Sequence, residues 1–514
     1  MVAVALGLAL PVAPAGAQAP GPVLLDLCTE AGIPAVPELG PRTCKSIEAG
    51  STLLAQLCEQ AVLPAEACAN VTDGHVVDPA QVAAFEQTWA YRALRLQLHL
   101  DDDEPLRNTL WPHTHNSFNS SVYSPTVSDI DPNQRYSIHD QLQMGVRAIE
   151  LDVHWFMDKV VLCHGEGVDV GDLTIHLGCS VDRPFHDGLQ ELRDFLDEPG
   201  NEDEVVLLYL ENNLDGVPEA HDIVAAELQS TLGDLVARPP ADQPCAPMPL
   251  DTTKAALRAA GHRVLIVGNC GPGGWGSWVH ERGPEWDEGG DGQGFPAFPD
   301  CTAVRDAGQY QQRWIRIYED STWLSAMAGG PTPPISVDDT RNMVRCGVDM
   351  VGFDRLEPFD GRLEAMVWSW APDEPVDDPA LGCGARGTDG RFRMQPCGST
   401  RAYACRTADG WVVPAATGPW EDGPAACTAA GATFATPPTG WEDGLLGDAD
   451  VWIPIGRADV GLPVEAPTDT AAPMAAPAST RGDLPETGAT PVLWPAAALL
   501  LAGLAAARRT PRRA

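Results

Sequence analysis

An α/β barrel of alternating strands and helices is the fold class this sequence predicts, on three observations. From about Leu106 to Pro358, short apolar runs of strand length alternate with segments of helical period over roughly 250 residues. The run Val205 to Leu210 has no polar break, as expected of a strand covered on both faces. The acids and histidines that could do chemistry stand at the ends of such runs, where a barrel keeps its reactive groups. A doubly wound open sheet has the same alternation and is the rival.

The elements follow in order. Pro79 to Leu100 is helical in period, and Asp101-Asp102-Asp103-Glu104-Pro105 stops it with a charged turn. Ser137-Ile138-His139-Asp140 resembles a capping box, Leu142 continues the apolar face, and Gly145 suits a helix end. A strand is predicted over Val146 to His154 and another over Val160 to Cys163. Only a short turn around Asp158-Lys159 separates those two, so no helix fits between the strands bearing Asp152 and His164. Leu189, Leu192 and Leu196 mark a helix by spacing. After the Val205 run come strands at Val264 to Val267, Trp314 to Tyr318 and Met350 to Phe353.

A chain of 514 residues exceeds one hydrophobic core. A net charge of −39 argues against nucleic acid as a partner, since a polyanion would be repelled. Residues 1–17 read as a signal peptide: Val2 to Ala13 is apolar and Ala15-Gly16-Ala17 has the form of a cleavage site, although the usual N-terminal Lys or Arg is missing. Residues 18–105 form a Cys-containing helical region with a short repeat, Leu27-Cys28 to Pro34 and Leu57-Cys58 to Pro64. Closing each copy with Cys28–Cys44 and Cys58–Cys68 is one of three possible connectivities. Residues 106–358 are the barrel. Residues 364–457, rich in Trp, Gly and Cys, form a second, β-rich domain, and 458–483, rich in Ala, Pro and Thr, read as an extended stalk. Fourteen cysteines fit an exported, disulfide-bonded protein; the absence of any Cys-x-x-Cys pair excludes the usual structural zinc site.

Residues 484–514 form a three-part tail: Leu484-Pro485-Glu486-Thr487-Gly488, an apolar run from Pro491 to Ala507, and arginines 508, 509, 512 and 513. The apolar run followed by positive charge would halt in a membrane with its arginines inside. The tail resembles the LPxTG-type sorting signal of Gram-positive bacteria, which implies sortase cleavage between Thr487 and Gly488 and attachment to peptidoglycan. A permanent single-span anchor is the alternative.

Glu150 and Asp152 lie two apart on one strand, so both leave the same face while Ile149, Leu151 and Val153 take the other. Two like charges brought together need a cation or a proton between them. With Asn116 supplying an amide oxygen and Glu211 a third carboxylate, the donor set is all oxygen, which suits calcium or magnesium rather than zinc, and calcium tolerates the irregular geometry better. His115 and His164 could divide the proton work, one accepting from an attacking hydroxyl and the other giving to a departing alkoxide. His113, two residues before His115, would point the same way and is an understudy.

The strings Thr114 to Phe118, Gly145 to Asp152, Leu162 to Gly165 and Leu208 to Asn212 resemble, in order, the X-region of phosphatidylinositol-specific phospholipase C. Asn116, Glu150, Asp152 and Glu211 match the metal ligands of its calcium-dependent, eukaryote-like branch. The resemblance implies a distorted (β/α)8 TIM-type barrel, Ca2+ as cofactor, and attack of the inositol 2-hydroxyl on phosphorus to release diacylglycerol and a cyclic phosphate. By position, His115 would stabilise the transition state, His164 would protonate the leaving oxygen, and Glu150 or Glu211 would be the base. Only three lysines are present and no basic cluster is visible, so plain or glycosylated phosphatidylinositol at a membrane surface fits better than a polyphosphorylated lipid.

The second domain resembles C-type-lectin-like modules, with Trp368-Ser369-Trp370, Tyr403-Ala404-Cys405, Trp411, Trp420 and Val451-Trp452 in order. This implies bridges Cys383–Cys397 and Cys405–Cys427 and the option of glycan binding, although sugar-binding tripeptides are not evident. The resulting reading is a secreted, wall-attached, calcium-dependent phosphodiesterase. A glycerophosphodiester phosphodiesterase is the nearest rival enzyme, and an adhesin with an inactive barrel is the rival from another class.

Overall fold

The computed structural model describes residues 77–463 apart from 124–131, 157, 164–166, 171–172, 177–182, 215, 289–291, 302–312 and 322–333, with the backbone alone at 167–170 and 173–176. His164, the signal 1–17, the cysteines at 28, 44, 58 and 68, and Thr487 and Gly488 lie outside the described residues.

The single helix expected over 79–100 is two, α1 (Ala80–Phe85) and α2 (Trp89–Gln97). Thr88 breaks them: its backbone is extended and its hydroxyl accepts the Tyr91 N–H at 3.2 Å, so it caps a new helix instead of continuing the old one. Strand β1 (Trp111–Thr114) is followed by α3 (Ile138–Gln143), capped by the Ser137 hydroxyl, which accepts from Asp140 N–H at 3.0 Å; Gly145, at φ 103°, then turns the chain into β2 (Ala148–Phe156). Asp158, at φ 59°, closes the hairpin to β3 (Lys159–Leu162), which runs antiparallel to β2. A small ribbon, β4 (Gly167–Val170) with β5 (Leu173–His176), precedes α4 (Phe185–Asp197). Then come β6 (Val206–Asn213), α5 (Pro218–Thr231), β7 (Val236–Ala237), α6 (Lys254–Ala259), β8 (Val264–Gly268), β9 (His280–Glu281), β10 (Trp286–Glu288), β11 (Trp314–Tyr318), α7 (Val337–Cys346), β12 (Met350–Phe353) and α8 (Arg362–Met366).

The strands form a curled, parallel sheet in the order β10-β11-β12-β1-β2-β6-β8-β7, with β9 also on β8 and β3 antiparallel on β2. This is the α/β barrel, distorted by the hairpin and by the missing ladder, among the described residues, between β10 and the β7 and β9 side. Alternation sorts its faces. Ile149, Leu151, Leu208, Leu210, Ile266, Ile317 and Val351 point outward into the helices. Trp111, Ala148, Leu207, Tyr209, Leu265, Trp314 and Met350 point inward and fill the lower barrel. Their rings form a ladder: Tyr209 stacks on Trp286 at 5.8 Å, Trp286 on Trp314 at 5.7 Å, and Trp314 tilts against Trp111 at 6.1 Å. Lys254, paired with buried Asp101 at 2.8 Å, lies 4.7 Å from the Trp111 ring and closes the foot.

The C-terminal region holds β13 (Cys383–Arg386), β14 (Phe392–Gln395), β15 (Ala402–Tyr403), β16 (Cys405–Thr407), β17 (Gly410–Val412), α9 (Gly423–Ala429), β18 (Thr433–Phe434), α10 (Gly440–Leu445) and β19 (Val451–Gly456), as sheets β14-β13-β19-β15 and β17-β16-β18. Cys383–Cys397 and Cys405–Cys427 are bonded. Two bridges that the sequence did not suggest lie in the barrel: Cys245–Cys270 ties two loops, and Cys301–Cys346 ties a loop to the end of α7. Asp443 is fully buried: Arg386 of β13 donates to it at 2.6 Å, and Arg345 of the barrel helix α7 lies 3.7 Å away. The folded region runs past the expected start of the stalk at 458, because Ala458–Val460 form a turn of 3-10 helix with Val460 buried. Among the described residues no helix is long and apolar enough to cross a membrane.

Candidate active site

Register alone assembles the acidic cluster. Asp152 of β2 pairs across from Glu211 of β6, and Glu150 from Tyr209, so three carboxylates rise from adjacent strands on the inner face. One oxygen from each of Glu150, Asp152 and Glu211 lies within 4.8 Å of the others. Asn116 follows β1 at φ 46°, a left-handed conformation that Asn tolerates, and its N–H donates to Glu150 Oε2 at 3.2 Å. Arg316 of β11 donates to the same oxygen at 2.7 Å, and His113 Nε2 stands 3.4 Å from it. One edge of Glu150 is therefore fully engaged. By contrast, Asp152 Oδ1 and Asn116 Oδ1 are buried with no hydrogen-bond partner among the described residues.

A second group adjoins this one. His115 Nδ1 lies 3.0 Å from Asp354 Oδ1, at the end of β12, and its ring packs 4.8 Å from Tyr318. Asp354 is saturated: Asn133 Nδ2 donates to Oδ1 at 3.0 Å, and the N–H and hydroxyl of Ser321 reach Oδ2 at 2.7 and 3.2 Å. Although Asp320 is close enough to His115 and Asp354 for a shared ion, these bonds make the pair a hydrogen-bonded dyad instead. Behind it, buried Glu319 accepts from Asp354 N–H and from Arg362 at 2.7 Å, and Arg362 Nη2 donates to the Asp354 carbonyl at 3.1 Å.

Electrostatics separates the carboxylates. Burial raises the Glu150 pKa, but Arg316, His115 and His113 outweigh it and hold Glu150 well below the ordinary range. Asp152 is pushed well above that range by burial and by its neighbours Glu211 and Glu150, and Glu211 is raised by burial and Glu150. The Arg316 guanidinium offsets one of three negative charges, so two remain for a divalent cation or protons. Burial pulls His115 down, but Asp354 and Glu150 prevail and push it up to about 9. His113 is lowered to about 4, chiefly by burial. It is thus a neutral imidazole packed beneath Glu150, beside a glycine, Gly352, whose lack of a Cβ leaves room for its ring. His113 faces inward as expected but does not share the role of His115.

Of the residues read from sequence, the structure brings together Asn116, Glu150, Asp152, Glu211 and His115. His164 follows β3, outside the described residues. Asp354, Arg316 and Asn133 were missed. The signals for two of them were present: Asp354 ends a recognised strand, and Arg316 interrupts the apolar alternation of another.

The family described as "Rv2075c PI-PLC-like domain" matches residues 71–360. The uncharacterized proteins Rv2075c and MT2135 of two Mycobacterium tuberculosis strains are each 36% identical over 471 residues, covering 87% of this chain and 93% of their own length. Among solved structures, the chain is similar to a phosphatidylinositol-specific phospholipase C from Listeria monocytogenes, at 12% identity and TM-score 0.34, covering 53% of this chain and 97% of that one. It is also similar to a Ca2+-dependent enzyme of that type from Streptomyces antibioticus, at 16% identity and TM-score 0.31, covering 50% and 97%. Likeness to structures at this level says nothing of chemistry.

Proposed function

Because this chain belongs to the Rv2075c PI-PLC-like family, we propose that it is a calcium-dependent phosphodiesterase acting on a phosphoinositide-type lipid. It cleaves phosphatidylinositol or a glycosylated form to diacylglycerol and a cyclic inositol phosphate. The observation that carries this reading is the acidic cluster with two buried, partnerless oxygens, Asn116 Oδ1 and Asp152 Oδ1, beside the His115–Asp354 dyad.

The residues fit a calcium ion. Asn116, Glu150, Asp152 and Glu211 would hold it: the donors are all oxygen, the carboxylates are mutually close, and their charge is short of compensation by about two units. A calcium ion bound there would lower the pKa of the attacking hydroxyl and offset the negative charge on the phosphoryl oxygens. The chain's own groups do the rest. The His115 imidazolium, held charged by Asp354, hydrogen-bonds a phosphate oxygen as negative charge builds. Glu150 is tied to Arg316 and binds protons poorly, whereas Glu211, half-buried with a raised pKa, can accept the proton of the inositol 2-hydroxyl. His164, by its place in sequence, gives a proton to the departing glyceride oxygen as that P–O bond breaks.

Secretion, sortase attachment through Thr487 and Gly488, peptidoglycan as anchor and glycan contact by the lectin-like module complete the proposal, and rest on sequence. One experiment tests the reaction: incubate the chain with phosphatidylinositol, with glycerophosphoinositol and with glycans, with and without a chelator, following phosphorus by NMR and glycan retention by pull-down. A cyclic inositol phosphate formed only with calcium supports the reading. Glycerol 3-phosphate as product indicates the glycerophosphodiester reaction, and glycan binding without turnover indicates an adhesin.

A further inference from the structure

Asn133, which lies between the first two recognised strings and in neither, sits between the dyad and the acidic cluster. It is 1% exposed, as is Asn116. A carboxylate accepts hydrogen bonds and does not donate, so Asp354 fixes which end of the Asn133 amide faces it: the NH2 group, at 3.0 Å. The Asn133 oxygen must then face the other way, where it accepts from Asn116 Nδ2 at 3.2 Å and from Asn119 Nδ2 at 2.7 Å. That in turn fixes Asn116. With its NH2 committed to Asn133, its oxygen is the end left over, buried and without a partner, in a residue whose own N–H touches Glu150.

We propose that Asn133 is a positioning residue that sets the polarity of the metal site, orienting the Asn116 amide so that its oxygen is presented to the ion. This inference rests on the calcium reading above. Without the Asn133 oxygen as acceptor, the Asn116 NH2 is drawn to the carboxylates of the cluster, one of which its own N–H already touches, and its oxygen turns away from the ion. Asp354 would thus act twice, on His115 directly and on the ion through two amides.

Calcium affinity, measured by calorimetry with calcium chloride on the full chain, tests this independently of turnover. Asn133→Ala is expected to weaken binding about tenfold or more. Asn133→Asp keeps an oxygen for Asn116 Nδ2 but turns its other oxygen onto the buried Asp354 carboxylate in place of the NH2 that donates there at 3.0 Å, so it is expected to bind no better than Asn133→Ala. Asn116→Asp in the Asn133→Ala background is expected to restore affinity, because a carboxylate presents oxygen from either end and needs no orientation. Placed opposite an intact Asn133 oxygen, Asn116→Asp alone is expected to bind more weakly than the double variant, a non-additivity that simple loss of fold does not produce. The inference is overturned if Asn133→Ala binds like the parent or if the double variant shows no recovery. A parent chain that binds no calcium overturns the calcium reading itself, before any variant is compared.

Discussion

The dyad places its strongest demand on a single carboxylate. Asp354→Asn keeps the shape but removes the charge that holds His115 protonated, and kcat is expected to fall by roughly 10²–10⁴, with KM within about threefold. Steady-state kinetics on phosphatidylinositol checks this. Arg316→Met would leave Glu150 buried without its counter-charge. With chelator present, urea unfolding is expected to show a loss of about 3–5 kcal/mol, a loss that calcium largely recovers; equal loss with and without the ion would mean that Arg316 does not balance the cluster. At this scale the sequence was readable where a local rule applied. The period of a strand puts Glu150 and Asp152 on one face, and the end of the Val205 run marks Glu211. It was not readable where partners meet across the barrel: Asp354 lies 239 residues from His115, and Arg316 lies 166 from Glu150. Only the closure of the sheet brings them together.

Strands and helices are set by groups at the foot of the barrel. Glu204, just before β6, receives Arg147 at 2.6 Å and Arg95 of α2 at 2.5 Å. Burial raises its pKa, but Arg147 and Arg95 dominate and hold it at about 2, below the ordinary 4.5. The folded pKa is depressed, so this contribution is complete above about pH 4.5 and is lost as pH falls toward about 2. Glu204→Gln is expected to cost about 3 kcal/mol near neutrality, and the gap to the parent should close across that window in chemical melts. A gap that does not depend on pH would refute the assignment. The same buried arginine explains a shifted boundary. The strand expected from Val146 begins at Ala148, because Arg147 turns to donate to Leu142 and Val146 carbonyls and to Glu204. Periodicity does not register such a turn, nor the Thr88 cap that divides the first helix.

The barrel and the C-terminal sheets fold within one compact unit, and Asp443 lies between arginines of both. Calorimetry is therefore expected to show one cooperative transition for residues 77–463; two well-separated transitions would contradict the shared core. Cys301–Cys346 closes a loop of 45 residues, and replacing both cysteines by Ala is expected to cost about 4 kcal/mol on loop-closure grounds, seen as a lower Tm. Strand and helix alternation made the barrel legible as a class. The two bridges in the barrel were not, since spacing does not determine connectivity. The ladder of rings from Tyr209 to Trp111 has a bearing on traffic. Among the described residues, four aromatic planes and a lysine plug the base of the barrel, so the acidic cluster is closed from below. Whatever reaches the carboxylates of Glu150, Asp152 and Glu211 can then be swallowed only as far as the rungs allow.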